Sequence, residues 1–324
     1  MFLRTCIAAG IAGALTLAGA ALASATAPES FAYSVGVPNV PPTALIDVTA
    51  RDLGLWQKAG IEPHEPPSFD RRHWTPELEN QPEVRMYGMG AALNYMAKGV
   101  QFVIVADLGA RAEWHVWTLK ESAIHEASQI KGKRIAVTQM SGTDRLYADV
   151  FLNELGLSPK DVTFVPTGGL PQNYGALKAG KADLWVTTEH AAALIDRAGL
   201  LRSVTKLSNY LGNDWDPYVI MASRRALTER PAMVKKATGV LLQAAAYVSS
   251  HHDEDITRLM TRFKVDRQIA EKLFSMFKLS PDGAIHVDRI ARMRDYYVSH
   301  GVIPRDKAPA LETTYSACCA AVVK

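Results

Sequence analysis

Apolar positions along residues 129–197 alternate between two periods. A short unbroken run, Ile135-Ala136-Val137, follows the basic turn Lys131-Gly132-Lys133-Arg134. Leu146, Tyr147, Val150, Phe151 and Leu155 then recur at spacings of three and four. The first pattern predicts a buried strand and the second an amphipathic helix, with Ser141-Gly142-Thr143 as the turn between them. The alternation repeats, predicting a strand over 161–166, a helix over 170–179 and a strand over 182–187. Strands alternating with helices of this length imply a parallel sheet covered by helices. Ligands of such sheets sit beyond the carboxyl ends of the strands, where helix N-termini present unbonded backbone N–H groups.

The same reading extends both ways from this block. Upstream, strands are predicted over 31–38, 61–67, 84–87, 101–107 and 113–119, the second weakened by its prolines. Residues 39–42 form a turn, and Thr43 is placed to cap a helix through Leu45, Val48, Leu53 and Leu55. Residues 68–82 are polar and aromatic and predict an irregular or short helical excursion. Gly88-Met89-Gly90 turns into a helix through Leu93, Tyr95 and Met96 that Gly99 closes. Downstream, Thr188-Glu189-His190 leads into a helix with Leu194, followed by an edge strand over 200–207, a polar loop over 209–216 and a strand over 218–222. A long helix then covers 231–249, two or three further helices cover 253–262, 266–278 and 287–300, and the last twenty or so residues carry little pattern beyond Tyr315. No internal repeat is visible.

Composition narrows the class. A chain of 324 residues, 48% hydrophobic and 21% charged, has the make-up of a globular protein of about two domains. The net charge of +3 is small and evenly spread, and no basic run is interleaved with aromatics, so nucleic acid is set aside as a partner. Arg4 precedes a small and apolar run over 6–23, and Ala23-Ser24-Ala25 has the small-x-small form of a signal-peptidase site. This predicts a cleavable secretory signal over 1–25 rather than a permanent anchor, because the run is rich in Ala and Gly and a cleavage motif follows at once. Cleavage removes Cys6 and leaves only the adjacent Cys318 and Cys319. Neighbouring cysteines bridge only through a strained ring, so no disulfide framework is expected. Two are also too few for a zinc site.

Three stretches carry a resemblance. They are Lys131-Gly132-Lys133-Arg134-Ile135-Ala136-Val137, the step from Leu155-Gly156-Leu157 to Asp161-Val162, and Ala176-Leu177-Lys178-Ala179-Gly180-Lys181-Ala182-Asp183. In these, and in the order of its elements, the chain resembles the periplasmic solute-binding proteins of nitrate-, sulfonate- and taurine-type ABC importers. The resemblance implies an α/β, type II periplasmic-binding-protein fold. Each of its two lobes is a mostly parallel sheet flanked by helices; two strands cross between them, and a helical cluster ends the chain. It would place one lobe at 28–115 plus 222–324 and the other at 116–221, with crossings at 115–119 and 218–222. It also implies a small-molecule solute, an importer permease and ATPase as partners, no cofactor, a periplasmic location and a monomer.

The turns after strands are the candidate ligand contacts. They are Pro38-Asn39, Gly88-Met89-Gly90, Ser141-Gly142-Thr143 and Thr188-Glu189-His190. Gly142 lets backbone approach a ligand, and the hydroxyls of Ser141 and Thr143 with the helix N–H groups suit an anionic oxygen. Equally, Ser141 or Thr143 caps the helix and does nothing more. Gly88 and Gly90 serve the opposite lobe in the same way, or only the backbone of their turn. Glu189 either favours the helix dipole at the surface or enters the cleft, where it would call for a cationic or N–H donor group. Trp117, at a crossing, is open to stacking on a ligand, whereas Trp185, mid-strand, is expected in the core. The run His251-His252-Asp253-Glu254-Asp255 reads as a helix start capped by Asp253, not as a metal site. These features predict a receptor that binds a sulfonate, nitrate, carboxylate or aromatic or pyrimidine compound and releases it unaltered. The rivals are a pyrimidine-synthase-like enzyme on the same scaffold, weakened by the export signal and the lack of a cysteine-rich cluster, and a receptor subunit for a membrane sensor.

Overall fold

A computed structural model describes residues 27–35, 40–66, 80–111, 113–213, 215–276, 279–280 and 282–323. The predicted signal over 1–25, Asn39 and most of the 68–82 excursion lie outside the described residues. The strands fall into two main sheets. The first holds β1 (Glu29–Ser34), β2 (Ile61–His64), β3 (Val84–Gly88), β4 (Phe102–Arg111) and β10 (Pro217–Ser223), in the order β2-β1-β3-β10-β4. The second holds β5 (Trp114–Leu119), β6 (Arg134–Val137), β7 (Thr163–Pro166), β8 (Leu184–Thr188) and β9 (Leu201–Lys206), in the order β7-β6-β8-β5-β9. Both have one plan. Three strands run parallel, β2-β1-β3 and β7-β6-β8, and a strand antiparallel to its neighbours follows, β10 in the first sheet and β5 in the second. The sheets are therefore mixed, and the fold is α/β with helices on the sheet faces.

Helices link the parallel strands as the apolar spacing predicts. In the first lobe α1 (Pro41–Asp52), α2 (Leu55–Lys58) and α3 (Met89–Ala97) do so; in the second, α4 (Thr143–Glu154), α5 (Leu170–Lys178) and α6 (Glu189–Ile195), with the short α7 (Ser208–Leu211) after β9. Helix α1 begins two residues before Thr43, the predicted cap. Pro41 and Pro42 occupy its first positions, where a missing N–H costs nothing, and the Thr43 hydroxyl donates instead to the Val40 carbonyl at 3.2 Å. The C-terminal cluster comprises α8 (Arg224–Glu229), α9 (Pro231–Val248), α10 (His252–Phe263), α11 (Arg267–Ser275) and α12 (Val287–Ser299). The cap of α10 is His251 rather than Asp253, which sits with Glu254 and Asp255 in the first turn, where carboxylates favour the helix dipole.

The strands named as crossings each belong to one sheet. β5 pairs along its length with β8 and β9, and β10 with β3 and β4. The chain passes from the first sheet to the second between β4 and β5 and returns between β9 and β10. Most of the core is one continuous cluster that includes Phe31, Trp56, Ile104, Tyr147, Val219 and Leu241, and a smaller one gathers around Trp185, which is fully buried as its mid-strand place predicts. The patternless C-terminal segment has a defined place. Ile104 N–H donates to the Thr314 carbonyl at 2.8 Å and Ser316 N–H to the Ile104 carbonyl at 2.9 Å, so the segment lies along the outer edge of β4. Beyond it β12 (Val322–Val323) pairs with β11 (Ile285–His286), and Cys318 and Cys319 form a vicinal disulfide.

Candidate functional site

A cavity of about 360 Å³ lies where the two lobes meet. Its walls come from the carboxyl ends of the parallel strands and the turns that follow: Val35 after β1, Gly88 ending β3, Gln139 and Gly142 after β6, Gly168 and Gly169 after β7, and Thr188 ending β8. This is where doubly wound sheets place ligands, since the helices that follow aim their N-termini there. Tyr87, Tyr95, Trp114 and Tyr218 supply aromatic lining. The lobes also touch around it. The Tyr296 hydroxyl on α12 donates to Glu154 on α4 at 2.5 Å, and Asn153 Nδ2 donates to the His300 carbonyl at 3.4 Å.

Of the residues singled out from sequence, Gly88, Gly142, Thr143 and Thr188 line this cavity. Ser141 is half-buried beside it and is not part of the wall. Neither Ser141 nor Thr143 caps α4: the N-cap is Gly142, without a side-chain bond, whereas Thr188 does cap α6 by accepting from Ala191 N–H. Met89 is fully buried in the core, and Gly90 is the second residue of α3, against the hydroxyls of Tyr147 and Tyr297. Trp117 is directed to the second sheet, with Nε1 donating to the Thr187 carbonyl at 3.1 Å and its ring stacked on His115 at 4.7 Å. His190 is fully buried; its Nε2 lies 3.3 Å from the Tyr218 hydroxyl, and burial pushes its pKa down to about 3.

Glu189 points elsewhere. It lines a separate, polar pocket of about 320 Å³ at the passages between lobes, with Arg111, Glu113, His115, Lys206 and Trp215. Burial raises its carboxyl pKa; Lys272 opposes that rise and Glu113 adds to it. In the same pocket His115 is held down to about 4 by burial and by Lys206.

Two groups that sequence reasoning passed over dominate the main cavity. Asp216 is 1% exposed and sits in left-handed backbone at φ 58°, which Asp tolerates better than most residues. Its carboxylate accepts from Gly90 N–H at 2.9 Å, from Trp114 Nε1 at 3.0 Å and from the Tyr147 hydroxyl. Asp144, 5% exposed, accepts from the backbone N–H of Thr138, from Arg145 N–H at 3.0 Å and from Asn173 Nδ2 at 3.3 Å. Burial raises both carboxyl pKa values, and these donors oppose the rise. The glycines make the arrangement fit. A Cβ on Gly88 would stand 3.1 Å from Asp216 Oδ1, and one on Gly142 would stand 2.7 Å from Asp144 Oδ1.

Residues 44–255 match the family model described as NMT1/THI5 like. The chain belongs to the NMT1/THI5-like family. Comparison with the curated proteins finds no match. Among solved structures, this NMT1/THI5-like chain resembles the alkanesulfonate-binding protein SsuA of Xanthomonas axonopodis pv. citri bound to MOPS. That likeness has a TM-score of 0.70 at 19% identity and covers 89% of this chain and 99% of that one. The Candida albicans CA3427 gene product, which shows the generic periplasmic-binding-protein fold, gives a TM-score of 0.72 at 16% identity over 91% and 98%. The desulfurization enzyme DSZB gives 0.61 at 16% over 89% and 96%. Likeness at these identities establishes the fold of this NMT1/THI5-like protein: the periplasmic-binding-protein architecture.

Proposed function

We propose that this protein is an extracytoplasmic solute-binding receptor of an ABC import system. It takes a small solute into the cavity between its lobes, closes about the β4–β5 and β9–β10 passages, and hands the solute on unaltered. The observation that carries this reading is a single cavity walled by post-strand turns of both sheets, so that a bound solute touches both lobes and favours the state in which they meet. The likeness to SsuA, a sulfonate-binding protein, supports a receptor role. An importer permease and ATPase would be the partners, the periplasm the location, and a monomer the form able to open and close. Of the sulfonate, nitrate, carboxylate and aromatic or pyrimidine classes, the aromatic lining suits the last best.

The likeness to DSZB supports a second reading, an enzyme on the same scaffold. One experiment separates the two. Candidate solutes are added while the melting temperature and the solute's amount are both followed. A receptor is stabilised, by about 2.7 kcal/mol at a hundredfold excess over Kd, and leaves the solute intact. Steady disappearance of a stabilising solute would establish the enzyme instead.

A further inference from the structure

Of the helix N-termini that face the cavity, those of α3 and α4 are already occupied by the chain's own carboxylates. Resting on the reading of this cavity as the solute site, we propose that its solute is cationic: an organic ammonium or protonated nitrogen base on a flat apolar body. Sulfonate, nitrate and carboxylate are refused. An open helix N-terminus attracts oxyanions through its free N–H groups and its dipole. Here the Gly90 N–H of α3 is bonded to Asp216 and the Arg145 N–H of α4 to Asp144. At these two termini an incoming oxyanion meets donors already engaged and a carboxylate beside each.

No compensating cation stands in the wall. Among the described residues that line the cavity there is no Lys, Arg or His. Arg145, next in sequence to Asp144, is engaged elsewhere: Nη2 pairs with Asp149 at 2.8 Å and the guanidinium lies 3.9 Å from the centre of the Phe164 ring. Three donors and no acceptor converge on Asp216, an arrangement matched to its ionised form. Buried carboxylates without a counter-charge are costly, and a cationic solute supplies one. The rings of Tyr87, Tyr95, Trp114 and Tyr218 add surfaces that attract cations and flat apolar bodies alike.

The test uses three probes with one ring system: 1-naphthylmethylammonium, 1-naphthylmethanol and 1-naphthylmethanesulfonate, measured by calorimetry and thermal shift. The ammonium probe is expected to bind at least about tenfold more tightly than the sulfonate, a gap of about 1.4 kcal/mol. Gln139→Arg, which adds a cation to the half-buried wall, reverses that order. Asp216→Asn keeps a residue suited to the backbone there and weakens the ammonium probe about tenfold, leaving the alcohol unchanged. If that variant does not fold, Gln139→Arg carries the test alone. A wild-type preference for the sulfonate overturns the proposal and leaves the cavity reading standing. Binding that survives Thr143→Trp, which fills the cavity, or no binding by any probe, removes the cavity reading and the proposal together.

Discussion

Gly90 has no room for a methyl group: a Cβ there would run into the hydroxyls of Tyr297 and Tyr147, both fully buried. Gly90→Ala is therefore expected to lose about 1–3 kcal/mol in urea unfolding. Adding Tyr297→Phe to that variant should recover part of the loss. His190 sets a second prediction. Its folded pKa of about 3 lies below the value of about 6.5 for an exposed imidazole, so between those pH values the unfolded chain holds more protons. Its contribution is present above about pH 6.5 and is lost as pH falls toward 3. Asp255, raised to about 6 mainly by burial, acts with the opposite sign. It does so in wild type and variant alike, so it cancels in their difference. His190→Phe should flatten the acid limb of stability against pH by up to about 1.4 kcal/mol per unit. At this scale the sequence was half legible. Gly88, Gly142, Thr143 and Thr188 stand in the cavity wall because post-strand turns are recognisable from local pattern. Asp216 was not, because it reads as one polar residue in a polar loop and acquires its partners from positions 126 and 102 residues away.

The elements were the most legible level, since each rests on spacing within a dozen residues. The strand-helix alternation of 129–197 is seen as β6-α4-β7-α5-β8-α6. What local pattern could not supply was pairing direction. β5 and β10 look like their neighbours in sequence, yet each enters its sheet antiparallel beside the parallel strands. Nor could it supply the fate of the C-terminal segment, whose contacts are backbone bonds to β4 and leave no periodicity. That segment covers the β4 edge around Ile104, while Gly283 and Ser280 cover it further along at Asp107 and Leu108, and open edges recruit other chains. Ending the chain after Ala310 should lower the melting temperature and produce concentration-dependent association, read by light scattering. A truncated chain as stable and as monodisperse as the parent would show that the edge needs no cover.

For the molecule as a whole, the two-lobe plan was foreseeable and the line between lobes less so. The resemblance set the edges inside β5 and β10, whereas the pairing keeps each strand whole within one sheet. The first sheet's wiring has a consequence for how the polypeptide is made. Its opening four strands remain incomplete until β10 arrives, after the entire second sheet, and the edge of β4 waits longer still, for Thr314 and Ser316. A growing chain built on this circuit cannot close its first lobe until its second sheet has been made.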